Sequence, residues 1–319
     1  MIRLFILVFL LITLIPLPGA AQSPEKVHVA VLAGNTGLAM VKLIDQAALS
    51  PARSPFVYEV YKSPDPVLGK MITGEIDLAG LPTNIAANLY NKGAGVQIAA
   101  IIGWGVMYVA SSDPSIKEWA DLKGREVWVA SKGAVSDILF QYLVTKNGLD
   151  LEKDLKIQYL ANAAEVAQLL AAGKITCAAL PEPWVTAALD KNPQLKVALD
   201  YQKEWQRIEK QGLAYPQTCV VAREKFAREH PQTLRRFLND LKSSISWVKR
   251  YPKSMGPLAE KYLQIPDLAA QKSLNRCNIR YNDAYKVRPE VGRFIQRLLE
   301  FAPESVGGKL PDAGFYYQP

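Results

Sequence analysis

Histidine and cysteine are scarce, two and three in a chain of 319 residues. His28 and His230 have no companion at metal-ligand spacing, and Cys177, Cys219 and Cys277 are dispersed, so no metal site is expected. The turn Gly34-Asn35-Thr36-Gly37 lacks the Lys-Ser/Thr ending of a phosphate-binding P-loop. There is no nucleophile elbow and no plausible triad, which favours a binding protein over an enzyme. Runs of basic residues are missing too. The net charge is +8, yet the cations are scattered, with pairs such as Arg235-Arg236 and Lys249-Arg250 and no aromatic interleaving, so nucleic acid is a poor partner. A mildly basic protein still suits small anions.

Hydrophobic content of 49% excludes a disordered chain, and the length allows two domains with their own cores. An apolar run, Leu4 to Leu17, follows Arg3 and ends in Pro18-Gly19-Ala20-Ala21. It falls short of the ~20 apolar residues that span a bilayer. It reads as a signal peptide over residues 1–21, with an uncleaved anchor as the alternative. The mature protein is then soluble and exported to the periplasm or an equivalent extracytoplasmic space. Export permits a disulfide, and an odd cysteine count leaves one thiol over. Cys177 lies in an apolar strand, so Cys219 and Cys277 are the expected pair.

One stretch occurs twice. Gly74-Glu75-Ile76-Asp77-Leu78-Ala79-Gly80-Leu81-Pro82 returns 99 positions later as Gly173-Lys174-Ile175-Thr176-Cys177-Ala178-Ala179-Leu180-Pro181. The same shift lays Gly34 on Gly133, and the strand at Phe56 to Tyr61 on that at Leu155 to Leu160. Two consecutive βαβαβα units are the economical reading. The region Val96 to Ala110, broken at Gly103-Trp104-Gly105, carries the chain from one lobe to the other, and the strand Tyr215 to Ala222 crosses back. Asn192 to Gly212 reads as a charged helical insert, and everything after Ala222 as helix. The tail with Phe315, Tyr316 and Tyr317 reads as a docked strap. Lobe one comprises residues 25–105 and 220–319, and lobe two residues 106–219.

In open α/β sheets ligands bind beyond the carboxyl ends of the strands, at helix N-termini that carry free N–H groups. That rule selects Asn35, Thr36, Gly37, Ser63, Asp65, Thr83 and Asn84 in lobe one. In lobe two it selects Ser131, Gly133, Ala134, Asn162 and Glu182. Their hydroxyls and amides serve equally well as helix caps. Such a cleft suits an anionic group. Asp65 and Glu182 either cap helices or receive an amine, ring N–H or hydroxyl of the ligand. Trp104 or Trp184 offers an apolar wall, with Trp104 the preferred choice.

Gly74-Glu75-Ile76-Asp77-Leu78-Ala79, Asp121-Leu122-Lys123-Gly124-Arg125, Lys146-Asn147-Gly148-Leu149-Asp150, Leu170-Ala171-Ala172-Gly173-Lys174 and Pro181-Glu182-Pro183 resemble the nitrate/sulfonate/taurine class of periplasmic substrate-binding proteins, which includes thiamine-pyrimidine binders. The resemblance runs in order through nearly the whole mature chain. It implies a type II periplasmic-binding fold, two α/β lobes joined by two crossing strands that close on a solute. It further implies a monomer without cofactor that delivers its solute to the permease subunits of an ABC importer. The family's ligand loops fall on Thr36, Ser63, Thr83, Asn84, Ser131 and Glu182. Thr176-Cys177 departs from the acidic-apolar pair usual there. Two alternatives stand beside transport: an enzyme of the thiamine-pyrimidine synthase type, and a sensory solute-binding module.

Overall fold

The structure is a computed structural model that describes residues 26–210 and 214–318. The expected signal peptide lies outside the described residues. The first unit runs β1 (Val27–Leu32), α1 (Asn35–Leu49), β2 (Phe56–Tyr61), α2 (Asp65–Thr73), β3 (Leu78–Pro82) and α3 (Thr83–Asn91). β4 (Val96–Trp104) then leads across Gly105 into β5 (Met107–Ser111). The second unit runs β6 (Arg125–Ala130), α4 (Val135–Lys146), β7 (Leu155–Leu160), α5 (Ala163–Ala171), β8 (Cys177–Pro181) and α6 (Trp184–Lys191). It is followed by β9 (Lys196–Asp200) and α7 (Tyr201–Glu209), and then by β10 (Pro216–Arg223). The remainder holds α8 (Glu224–Glu229), α9 (Pro231–Arg250), α10 (Pro252–Leu263), α11 (Asp267–Cys277), β11 (Ile279–Asp283) and α12 (Arg288–Phe301).

Two sheets result, a six-stranded one ordered β11-β4-β10-β3-β1-β2 and a five-stranded one ordered β7-β6-β8-β5-β9. The internal repeat is real in space. β2-β1-β3 and β7-β6-β8 are both parallel triplets with the first strand in the middle. Their registers differ by one residue, since Val29 faces Leu78 whereas Trp128 faces Ala178. Where copy one has Asp77, its carboxylate accepts the His28 N–H and pairs with Arg223 at 2.6 Å, tying β10 to the sheet end. Copy two has Thr176, which offers only its carbonyl to Ser111 Oγ and Ser112 N. The acidic residue is therefore tied to the strand that crosses back, which only the six-stranded sheet contains.

Several expectations are corrected. β10 lies wholly in the six-stranded sheet, antiparallel to β3 and β4 from Pro216 onward, so residues 216–219 pair with lobe one. The stretch after Asn192 contains strand β9 as well as helix, because Lys196-Val197-Ala198-Leu199-Asp200 can alternate against β5. Helices do not fill the whole C-terminal part either. β11 pairs antiparallel with β4 at the sheet edge. Only Ile279 of its five residues is buried, so no apolar alternation announced it. Cys219 and Cys277 are free, as is Cys177. Cys219 lies in β10 against the Leu81 carbonyl, on the side of the sheet covered by α3 and α12, and Cys277 ends α11 on the other side against Ser273.

The helices cover the sheets by ordinary amphipathic spacing. In α9, Leu234, Phe237, Leu238, Leu241, Ile245 and Val248 form one buried stripe. Phe237 meets Phe56 edge to face at 5.5 Å, and Ser244 Oγ donates to the Ala39 carbonyl at 2.7 Å. Gly37 is a packing residue. A Cβ there would lie 2.8 Å from Leu263 Cδ2, so α10 seats on α1 only because the side chain is missing. The tail docks as expected, with Phe315 fully buried and Tyr317 N donating to the Ile98 carbonyl at 2.9 Å.

Candidate functional site

The carboxyl ends of both parallel triplets face a cleft of about 350 Å³ between the sheets. One wall is built from the end of β1 and the first residues of α1, from Lys62 and Pro64 after β2, and from Leu263 and Gln264 closing α10. The other wall is built from Ser131, Ala134 and Ser136 after β6, Asn162 to Glu165 with Gln168 on α5, and Pro181 and Trp184 after β8. Gln217 and Thr218 complete the floor. Among these lining residues Lys62 and Glu165 are the charged ones, both exposed, so the interior is governed by amides, hydroxyls and backbone dipoles.

Of the residues selected from sequence, Asn35, Thr36, Ser131, Ala134 and Asn162 line this cleft. Thr36 Oγ1 is occupied by the Leu32 carbonyl at 2.8 Å, and Ser131 Oγ by that of Ala161 at 3.1 Å. Asn162 caps α5, its Oδ1 accepting from Glu165 N at 2.9 Å, while its amide donates to the Glu165 carboxylate. Gly37, Ser63, Asp65, Thr83, Asn84, Trp104, Gly133 and Glu182 stand outside the lining. Asp65 is exposed as the first residue of α2. Thr83 and Asn84 are buried at the start of α3, and Asn84 Nδ2 reaches across to the Gly133 carbonyl at 2.8 Å, so two selected residues hold each other. Trp104 is a core residue with the Arg280 guanidinium 4.8 Å from its ring centre, and Trp184 is the tryptophan that faces the cleft.

Glu182 is fully buried but not free for a ligand. Its carboxylate accepts from Thr186 N and Thr186 Oγ1 at the start of α6, and from Arg276 Nε of α11. A cation from the six-stranded side thus neutralises a carboxylate on the five-stranded side. Asp137 similarly occupies the α4 terminus, accepting from Gly133 N at 2.8 Å and Tyr159 OH at 3.0 Å. Burial, followed by the Asp137 charge, pushes the Tyr159 phenol well up, so it stays a donor. By contrast, α1 has no side-chain cap and no acidic residue in its first turn. Its positive end, about half a charge, is uncompensated at the cleft.

Gln217 and Thr218 were not among the sequence candidates. The strand-end rule considers loops that follow parallel strands. β10 runs antiparallel to β3 and therefore delivers its beginning to the edge where β1 and β3 deliver their ends. The signal was the crossing strand itself, Tyr215-Pro216-Gln217-Thr218, whose first polar residues had to lie at that edge.

A family model described as ABC transporter, phosphonate, periplasmic substrate-binding protein matches residues 48–260. No curated protein sequence matches the chain. Among solved structures, an ABC transporter protein from Parabacteroides distasonis is 29% identical, with 92% of this chain and 99% of that one covered and a TM-score of 0.75. The periplasmic aliphatic sulphonate-binding protein of Escherichia coli is 19% identical, with 93% of each chain covered and a TM-score of 0.73. The periplasmic nitrate-binding protein of Synechocystis is 12% identical over 88% of this chain and 84% of that one, with a TM-score of 0.66.

Proposed function

The chain belongs to the family of phosphonate periplasmic substrate-binding proteins of ABC transporters, and from that premise we propose that it captures a small organic solute with an anionic part in the cleft between its two sheets. The observation that carries this reading is the open positive end of α1 at the cleft, with Lys62 beside it. The apolar face of Trp184 and the Leu263 side chain accommodate the body of the solute. Asn35, Thr36, Ser131, Ala134 and Asn162 are the proposed contacts carried over from the sequence.

The proposed mechanism is closure about the two chain crossings, at Gly105 between β4 and β5 and at the strand β10 that returns to the six-stranded sheet. One lobe holds the solute, and the other gains its contacts only when the walls meet, so the solute selects the shut form. Asn84 with Gly133 and Arg276 with Glu182 are contacts made across the lobes. The loaded protein then presents the solute to permease subunits in the membrane. Among the described residues no helix is long and apolar enough to cross a membrane. The proposed working location is outside the cytoplasm, after removal of residues 1–21, with the chain acting as a monomer and without catalysis.

The test is thermal unfolding against nitrate, bicarbonate, taurine, alkyl sulfonates and aromatic carboxylates. A ligand at ~1,000 times its Kd adds about 4 kcal/mol, a shift of several degrees. A shift confined to one anionic class supports the reading. No shift with any of them removes these anions as candidates and leaves the family and the fold standing.

A further inference from the structure

Where the first residue of α1 meets the cleft floor, four buried polar atoms have no hydrogen-bond partner: Asn35 Nδ2, Asn35 Oδ1, Gln217 Oε1 and Thr218 Oγ1. Their residues are 7%, 6% and 8% exposed for Asn35, Gln217 and Thr218, so solvent does not satisfy these groups. Buried polar groups in native proteins are nearly always paired, and a cluster of exceptions at one floor points to a partner that arrives from outside. The cluster also has a built support. Gly103 lies beneath it, and a Cβ at that position would collide with both Thr218 Oγ1 and Asn35 Nδ2, so the strand is kept bare where the two groups converge.

We infer that the end of the solute lodged against Asn35, Gln217 and Thr218 carries a hydrogen-bond donor beside an acceptor, as in a lactam, carboxamide or ring amide. This rests on the proposed capture of an anionic solute and adds the chemistry of its other part. An oxyanion has acceptors only. It can receive Asn35 Nδ2–H and the Thr218 hydroxyl, but it leaves an amide oxygen of Asn35 facing lone pairs. The Asn35 amide offers one donor face and one acceptor face whichever way it is turned, so its full complement is an N–H or O–H next to a C=O. The lining supplies no arginine fork to bind an oxyanion bidentately, and its one cation, Lys62, is exposed. The anionic group therefore belongs at the α1 terminus and Lys62, and the neutral polar group at the floor.

The experiment compares matched acids by calorimetry: 5-oxoproline against cyclopentanecarboxylate, and orotate against benzoate, with ethanesulfonate as an anion lacking any donor. The amide-bearing member of each pair should bind at least about tenfold tighter, because its carbocyclic isostere leaves buried groups unpaired. The isosteric variants Thr218→Val and Gln217→Met and the truncation Asn35→Ala should each reduce that ratio toward one. Unliganded melting within about 2 °C of the parent for Thr218→Val and Gln217→Met shows that the fold survives these isosteric changes. Equal affinity within both pairs overturns the inference and leaves the anion-binding reading intact, as does binding of ethanesulfonate with no binding of 5-oxoproline or orotate. Silence of all five compounds overturns both.

Discussion

Removing Arg276 isolates the buried charge of Glu182. The Glu182 side chain is fully buried, whereas that of Arg276 is 38% exposed. In Arg276→Met the carboxylate keeps Thr186 N at 3.0 Å and Thr186 Oγ1 at 2.9 Å but loses its only cation. Breaking a buried pair from one side costs about 3–5 kcal/mol, and the exposure of the arginine argues for the low end or below, about 2–3 kcal/mol. At this chain length that is a fall in Tm of about 5 °C. Glu182→Gln alone removes the charge that needs the cation, so the double variant should be less destabilised than Arg276→Met by itself. The assay is a double-mutant cycle by urea unfolding, with a coupling energy of about 1.5 kcal/mol expected. Coupling below about 0.5 kcal/mol would refute the claim that Glu182 depends on the opposite lobe for neutralisation. Because the pair joins the two lobes, Arg276→Met should also weaken binding of whichever solute drives closure, read by the same calorimetry.

Burial pushes the Cys177 and Cys219 thiols up to about 12 and that of Cys277 higher, so at pH 8 virtually no thiolate exists. Ellman's reagent should find no reactive thiol in the native protein and three after denaturation; one would indicate a disulfide. Gly103→Ala drives a methyl group into Asn35 and Thr218, and should lower solute affinity at least about tenfold with a smaller effect on melting; unchanged affinity would remove those residues from the site. Trp184 faces the cleft and Trp104 does not, so a solute-induced change in tryptophan fluorescence should vanish in Trp184→Phe and persist in Trp104→Phe. Lys62→Met should weaken binding and flatten its salt dependence, while an unchanged salt slope would place the anion elsewhere.

The repeat made the fold legible. A nine-residue echo and two glycine turns were enough to foresee paired triplets of parallel strands, because each triplet is built from local βα units whose periodicity is written in the chain. What failed was non-local. β11 has one buried residue and exists only because β4 offers it an edge. The Cys219 and Cys277 pairing failed because sequence separation says nothing of which face of the sheet a side chain meets. At the site, Asn35 and Thr36 were legible as a turn opening a helix. Glu182 was also singled out, but its partner Arg276 comes from α11, some 94 residues downstream, and no local pattern reveals that the carboxylate is already taken.

The place of β10 has a bearing on how the molecule is assembled. The five-stranded sheet is drawn from one continuous stretch, β5 through β9, and can be completed as soon as residue 200 is available. The six-stranded sheet cannot. Until Pro216–Arg223 slides between β3 and β4, those two strands each present an unpaired apolar edge, while the sequence needed to cover them is still to come. Partly built sheets of this kind are the species that stick to one another. Loss of yield during expression should therefore concentrate in variants that delay β10, such as those weakening the Asp77–Arg223 tie at its end, more than in variants of equal thermodynamic cost within the five-stranded sheet.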